Sequence, residues 1–328
     1  MTGRGDAQGL DLVVVGDCNP DVLVLGDDVT PSFGQQEKLV EGIWMVVGGS
    51  AAITAVAAAR LGLSVGLVAA VGADPAGDFL LGQLSREGVS TEAVAVRDGV
   101  PTGMTVALSR GADRAILTAP GAVASLTIQD VHVALLTRAR HVHISSYFLL
   151  ERSLGPGLAA VLAAVRAAGS TTSLDTNWDP AGRWGDDLLH AALAQTDVLI
   201  PNQAEALRIA GEPDLPAAAR ALSAAGPRLV VKLGERGALC VDGPGWHRAE
   251  LPPVTPVDTT GAGDCFNAGL IGGLLRGLAL PEAAALGCAV GALSTRAAGG
   301  TASCPDLASA LALARTATVR RVSPGMPS

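Results

Sequence analysis

Short apolar runs rich in β-branched residues alternate along this chain with longer stretches dominated by Ala and Leu. The first short run, at 12–15, predicts a buried strand, and the stretch at 49–61 predicts a helix. The alternation continues with strands at 64–71, 141–145, 171–175, 198–201 and 228–233. Helices are expected between them at 75–87, 154–168, 186–194, 203–210 and 216–224. Strands that are apolar on both faces and separated by helices specify a mostly parallel sheet flanked by helices on both sides. Residues 22–47 and 92–118 break the rhythm. Their period-two patterns, as in Met104-Thr105-Val106-Ala107-Leu108, predict a small antiparallel sheet projecting from the body. The expected organisation is a flexible N-terminus at 1–10, one α/β domain at 11–317 with its β appendage, and a frayed tail at 318–328.

Composition narrows the function classes. The 328 residues are 49% hydrophobic, which is too apolar for disorder, and a domain of this length can bury a sizeable core. A formal net charge of -8 argues against a nucleic-acid binder, whose affinity rests on many phosphate contacts. It leaves room for a small phosphate-bearing ligand. No run reaches the ~18 uninterrupted apolar residues of a membrane helix, since Arg60, Arg166 and Glu282 interrupt the candidates, so no membrane partner is expected. Cys18, Cys240, Cys265, Cys288 and Cys304 are odd in number and lack C-x-x-C spacing, a pattern expected of free thiols in a reducing cytoplasm.

The segment richest in chemistry is Val257-Asp258-Thr259-Thr260-Gly261-Ala262-Gly263-Asp264, followed by an apolar helix. Glycines before a helix let the backbone close on an anion, and the first-turn N–H groups point at it with the helix dipole behind them. A carboxylate there, Asp264, has the make-up of a general base beside an oxyanion-stabilising nest. The alternative is a plain helix cap with two turn glycines. Asn19 and Asp21 lie just past the first strand's C-terminal end, where open parallel sheets bind ligands; the alternative there is an Asx/Pro turn. Gly48 and Gly49 would let the chain approach the same ligand closely. His141 and His143 share a strand face and, lacking a Cys or carboxylate cluster, are read as structural. A Walker P-loop is missing, because neither of the two lysines, Lys38 and Lys232, sits in one. The dinucleotide glycine fingerprint is missing after the first strand as well.

Asp258-Thr-Thr-Gly-Ala-Gly-Asp264 closely resembles the C-terminal signature of the ribokinase-like (PfkB) carbohydrate kinases. Four further elements follow that family's order: Gly16 to Asp21, Gly48-Gly49-Ser50-Ala51-Ala52, Asn202-Gln203-Ala204-Glu205, and Lys232-Leu233-Gly234-Glu235-Arg236-Gly237. The resemblance implies a ribokinase-like central sheet with a small β-sheet lid, and ATP-dependent phosphorylation of a hydroxyl on a small polyol. Asp264 would be the base, and the amides of Gly261, Ala262, Gly263 and Asp264 the anion hole. Asn19, Asp21, Gly48 and Gly49 would bind the acceptor; Asn202, Lys232, Gly234 and Gly237 would line the nucleotide side. Glu205 would organise Mg²⁺ through water. Asp258, the Thr260 carbonyl and Ser303 would match a monovalent-cation (K⁺) site, and the lid would carry a homodimer contact.

Two departures bear on the acceptor. Ile53 stands where many family members place an acceptor-binding Asn, which implies different recognition. Asp179, in Asp175-Thr176-Asn177-Trp178-Asp179, stands where ketodeoxygluconate kinases place Arg, which favours a neutral sugar over an acidic one. A nucleoside acceptor remains open, with Phe33, Trp44 and Trp178 as aromatics near the site that are read as ordinary packing. A catalytically silent sugar- or nucleotide-binding regulator is the third reading.

Overall fold

All four residues of β1 (Leu12–Val15) are fully buried, with Leu12 and Val14 facing one apolar layer and Val13 and Val15 the other. Such two-sided burial is what an uninterrupted apolar strand requires, and each side chain contributes about 1.5–3 kcal/mol by leaving water. The computed structural model describes residues 9–110 and 113–324. After β1 come β2 (Asn19–Leu25), β3 (Gly42–Gly48), α1 (Ser50–Arg60), β4 (Val65–Gly72) and α2 (Pro75–Arg86). Then follow β5 (Val89–Ser90), β6 (Val94–Arg97), β7 (Met104–Arg110), β8 (Asp113–Ala119), α3 (Val133–Leu136) and β9 (His141–Ile144). The middle of the chain holds α4 (Tyr147–Ala167), β10 (Thr171–Leu174), α5 (Asp187–Leu193), β11 (Val198–Leu199), α6 (Gln203–Ala210), α7 (Leu215–Ala224) and β12 (Arg228–Lys232). It closes with β13 (Ala238–Asp242), β14 (Gly245–Glu250), α8 (Ala262–Leu275), α9 (Leu280–Ser294), α10 (Leu307–Ala314) and β15 (Thr318–Arg321).

The large sheet runs β15-β14-β13-β12-β11-β10-β9-β1-β4-β5, and β6 also pairs with β4. From β12 to β5 the pairs are parallel; β13, β14 and β15 join antiparallel. The expected alternation is therefore present, and the second sheet orders β3-β2-β7-β8. Three expectations need correction. The small sheet is mixed, because β2 pairs β7 in parallel. Val94–Arg97 belongs to the edge of the large sheet, where Val94 lies opposite Ala69. Thr318–Arg321 pairs with β14, Thr318 opposite Glu250, so ladder hydrogen bonds order a segment read as frayed. Of the two flexible termini expected, residues 1–8 and 325–328 lie outside the described residues.

Helix α4 starts seven residues before its expected position. Gly155 and Pro156 lie inside it, and their turn-forming character hides the first two turns in sequence. At 21 residues it is long and apolar enough to cross a membrane, yet it buries Leu150, Leu154, Leu158, Leu162 and Val165 in the layer beside the sheet.

Candidate active site

The C-terminal ends of β1, β9 and β10 bring the first functional cluster together. Asp17, just past β1, accepts the backbone N–H groups of Ser50 (3.0 Å) and Ala51 (3.1 Å) at the start of α1 and the Ser146 hydroxyl (2.8 Å). That close approach depends on Gly49, whose φ is 83°; a Cβ there would fall 2.8 Å from the Asp17 carbonyl oxygen. Asn177, past β10, donates to the hydroxyls of both Ser50 and Ser146 at 2.9 Å. On the lid side, Asn19 Nδ2 donates to Asp21 Oδ1 (3.2 Å) and Thr105 Oγ1 (3.1 Å). Gly48 lies against Asp21, since a Cβ on it would overlap the carboxylate at 2.1 Å. Asn19 and Asp21 are thus paired strand residues of β2, and the turn alternative for them does not hold.

Helix α8 begins at the glycine turn. Gly261 is its N-cap with φ 71°, and a Cβ there would sit 2.7 Å from Gly300 Cα. Asp264 is inside the first turn, so the cap alternative fails for it. Helix geometry leaves the amides of Gly263 and Asp264 without an intrahelical acceptor. Ala262 differs from expectation: its N–H turns back to the Thr259 carbonyl at 3.2 Å, which removes it from the set that faces an anion. Burial, then the fields of Asp175 and Asp17, push the Asp264 carboxyl well above its ordinary range, against the pull of Lys232.

Behind Asp264 lies a charge cluster. Lys232 Nζ meets Asp175 Oδ2 at 2.5 Å, and Asn267 Nδ2 donates to the same oxygen at 2.6 Å. Burial pushes Asp175 up, but the ammonium and these hydrogen bonds outweigh it and hold the group below its usual value. Asn202 and Glu205 form a capping box on α6: Asn202 Oδ1 accepts the Glu205 N–H (3.0 Å), and Glu205 accepts the Asn202 N–H (2.8 Å) and side-chain amide (2.6 Å). Burial first, and then Asp175, push Glu205 up to about 7. A cavity of about 520 Å³ runs from Lys232 and Gly263 to the turn of Gly234 and Gly237, walled by Val254 and Phe266. Arg236 also lines it and donates to Gln203 Oε1.

The remaining expected residues divide. Asp258 Oδ1 accepts from the Thr260 N–H (2.8 Å) and hydroxyl (2.7 Å), while Oδ2 accepts the Gly299 N–H (2.8 Å). Ser303 lies half-buried in the turn before Cys304. Ile53 is 3% exposed, and its side chain lies against the Gly261–Gly300 contact. Asp179 accepts the N–H groups of Ala181, Arg183 and Trp184 at 2.6–2.8 Å. Its carboxylate caps a turn; burial pushes it up, but those N–H bonds outweigh the burial and hold it below its usual range, so it stays anionic. Trp178 packs edge-on against Trp184 at 4.6 Å with Arg208 4.9 Å over it, whereas Phe33 is 96% exposed and packs on nothing. His141 and His143 are buried on Ser173, as the structural reading expects. Sequence reading assigned no role to Asp17, Ser146, Asp175, Asn177 or Asn267; the acidic and amide residues at strand ends were the available signal.

The fold and the site together place a buried carboxylate in the first turn of α8, next to a glycine-lined cavity at the edge of a mostly parallel sheet. Residues 10–307 match the family described as pfkB family carbohydrate kinase. The chain belongs to that family and is a sugar kinase. It is 30% identical to the fructoselysine 6-kinase of Escherichia coli (strain K12) over 273 residues, covering 82% of this chain and 94% of that protein. With the ribokinase of Haemophilus influenzae it shares 29% identity over 90% of this chain and 95% of that one. An Escherichia coli protein designated ribokinase II, solved in complex with ATP and Mg²⁺, superposes with a TM-score of 0.82 at 25% identity, over 93% of this chain and 99% of that one.

Proposed function

We propose that the protein transfers the γ-phosphoryl group of ATP to a hydroxyl of a neutral sugar. The observation that carries this reading is Asp264 itself: a carboxylate buried in the first turn of α8, directly after Gly263, which lines the cavity with Lys232. The acceptor side is built from amides, hydroxyls and carboxylates, namely Asn19, Asp21, Ser50, Ser146 and Asn177. Those groups suit a neutral polyol. Asp264 takes the proton of the attacking hydroxyl, while the amides of Gly263 and Asp264 hold charge that develops on the transferred group.

The described residues contain no group of three His, Cys, Asp or Glu arranged to hold a metal ion. That fits Mg²⁺ carried on nucleotide phosphates and waters, with Glu205 ordering a water, and does not fit an all-protein cage. When bound, Mg²⁺ neutralises phosphate charge, and that positive charge would favour the ionised forms of Glu205 and Asp264, which burial and Asp175 push up. A monovalent cation at Asp258, the Thr260 carbonyl and Ser303 would brace the turn, and a second copy would cover the lid's outer face. The test is ADP release with ATP and Mg²⁺ over a panel of neutral sugars, acidic sugars and nucleosides. Turnover of a neutral sugar supports the reading, and turnover of nucleosides alone overturns it.

A further inference from the structure

Lys232 is one of only two lysines beside 21 arginines, and the other, Lys38, pairs with Asp28 on the surface. Its motif places its backbone at the nucleotide turn, where it bridges Asn202. Its side chain goes elsewhere. The stem runs under the start of α8, so that a Cβ on Gly263 would lie 3.6 Å from Nζ and 3.9 Å from Cδ. The Lys232 side chain is 13% exposed and the Asp175 side chain fully buried. Taking such a pair out of water costs several kcal/mol per ion, and an apolar pair of equal volume is often as stable or more so. Stability alone therefore gives little reason for the pair. Its direction gives a better one: Lys232 and Gly263 both line the cavity, so the ammonium lies beside the first turn of α8.

We propose that Lys232 is a catalytic residue, its ammonium meeting the phosphoryl group in transfer, and that Asp175, fixed by Asn267, is the positioning residue that aims it. This rests on the kinase reading above. In the step, the acceptor oxygen forms the new bond to the γ-phosphorus and its proton goes to Asp264. The bond from phosphorus to the bridging oxygen breaks and ADP leaves. A lysine offers three donors on a compact point charge; Asp175 takes one and leaves others for the phosphoryl oxygens. The full charge supplements the partial charge of the helix start, which also matters because no P-loop lysine exists in the chain.

The test uses the full chain with Lys232→Met, Asp175→Asn and the double variant. The readouts are kcat and KM for ATP, melting temperature, and calorimetric affinity for ADP with and without aluminium fluoride, a mimic of the phosphoryl group in flight. Lys232→Met should lower kcat roughly 10²–10³-fold with a KM for ATP within about threefold, and should lose a similar factor in binding ADP–aluminium fluoride but not ADP. Asp175→Asn should lower kcat less and add little on top of Lys232→Met, because the two act as one unit. The double variant removes both buried charges, so it should recover melting temperature without recovering turnover. Turnover of the Met or double variant within about threefold of the parent would overturn the proposal, as would a loss that tracks melting temperature. A parent chain that fails to bind ADP would overturn the kinase reading, and the lysine's role with it.

Discussion

The Gly299 amide donates to Asp258 Oδ2 at 2.8 Å, tying the segment that leads into α8 to the loop that follows α9. Because the other oxygen of Asp258 accepts two bonds from Thr260, one carboxylate fixes both sides of the contact where Gly261 packs on Gly300. Asp258→Ala removes an anionic acceptor from three donors. Each such bond is worth about 1.5–3 kcal/mol when broken, with partial recovery by water, so a loss of about 2–4 kcal/mol in denaturant unfolding is expected. An unchanged midpoint would show that the loops are held by packing alone.

The same residue tests the monovalent cation. Turnover in K⁺ is expected to exceed turnover in a large organic cation at equal ionic strength, and Asp258→Asn should shrink that difference. Equal rates in the two salts with the parent chain remove the cation from the proposal.

Asp264→Asn keeps shape and hydrogen bonding but removes the proton acceptor. Loss of a general base costs typically 10²–10⁴-fold, so kcat should fall by about that factor while ADP and sugar affinity change little. Normal phosphorylation by this variant would disprove the assignment of the base.

The glycine turn is legible in sequence because its parts are contiguous: one helix start supplies the cap, the amides and the carboxylate. Asp175, Lys232 and Asn267 are not, since 57 and 92 residues separate Asp175 from its two partners, and only the β10-β11-β12 order and the placement of α8 join them. Single positions show in sequence only their residue type: three backbone amides bind Asp179, and Ile53 packs on the Gly261–Gly300 contact, neither of which the linear motif displays. The lid shows the limit of periodicity. Alternation identifies Val94–Arg97 as a strand, but the same pattern serves either sheet, and β4 captures it.

His141 and His143 predict the acid limit of stability. Burial first, and then each other's charge for His141, push them down to about 3 and about 4. In the unfolded chain both return to about 6.5. Below that value the unfolded state binds more protons, so stability is fully present above pH 6.5 and falls as pH drops toward 4, by up to about 1.4 kcal/mol per unit for each residue. Glu205 works with the opposite sign, because its raised value keeps a proton in the folded state. Denaturant unfolding at pH 7.5 and 5, on the parent and on a variant with both histidines changed to Asn, isolates the effect. An equal acid loss in both chains would assign it to other groups.

The lid's outer face argues for a second copy of the chain. Strand register puts Met45, Val22, Val106 and Leu117 in one row and Ile43, Val24, Leu108 and Ala115 in the next, so eight neighbouring positions are apolar. Asp21 lies on the opposite face, toward the site, because side chains alternate along β2. Ile43 is 63% exposed, Met45 43% and Leu117 67%, a contiguous apolar surface of the kind that interfaces cover. Light scattering of the parent chain should report a dimer. Met45→Asp with Leu117→Asp places two carboxylates on that face without touching Asn19 or Asp21, and should leave a monomer. A monomeric parent refutes the interface, and a double variant that stays dimeric moves the interface elsewhere on the surface.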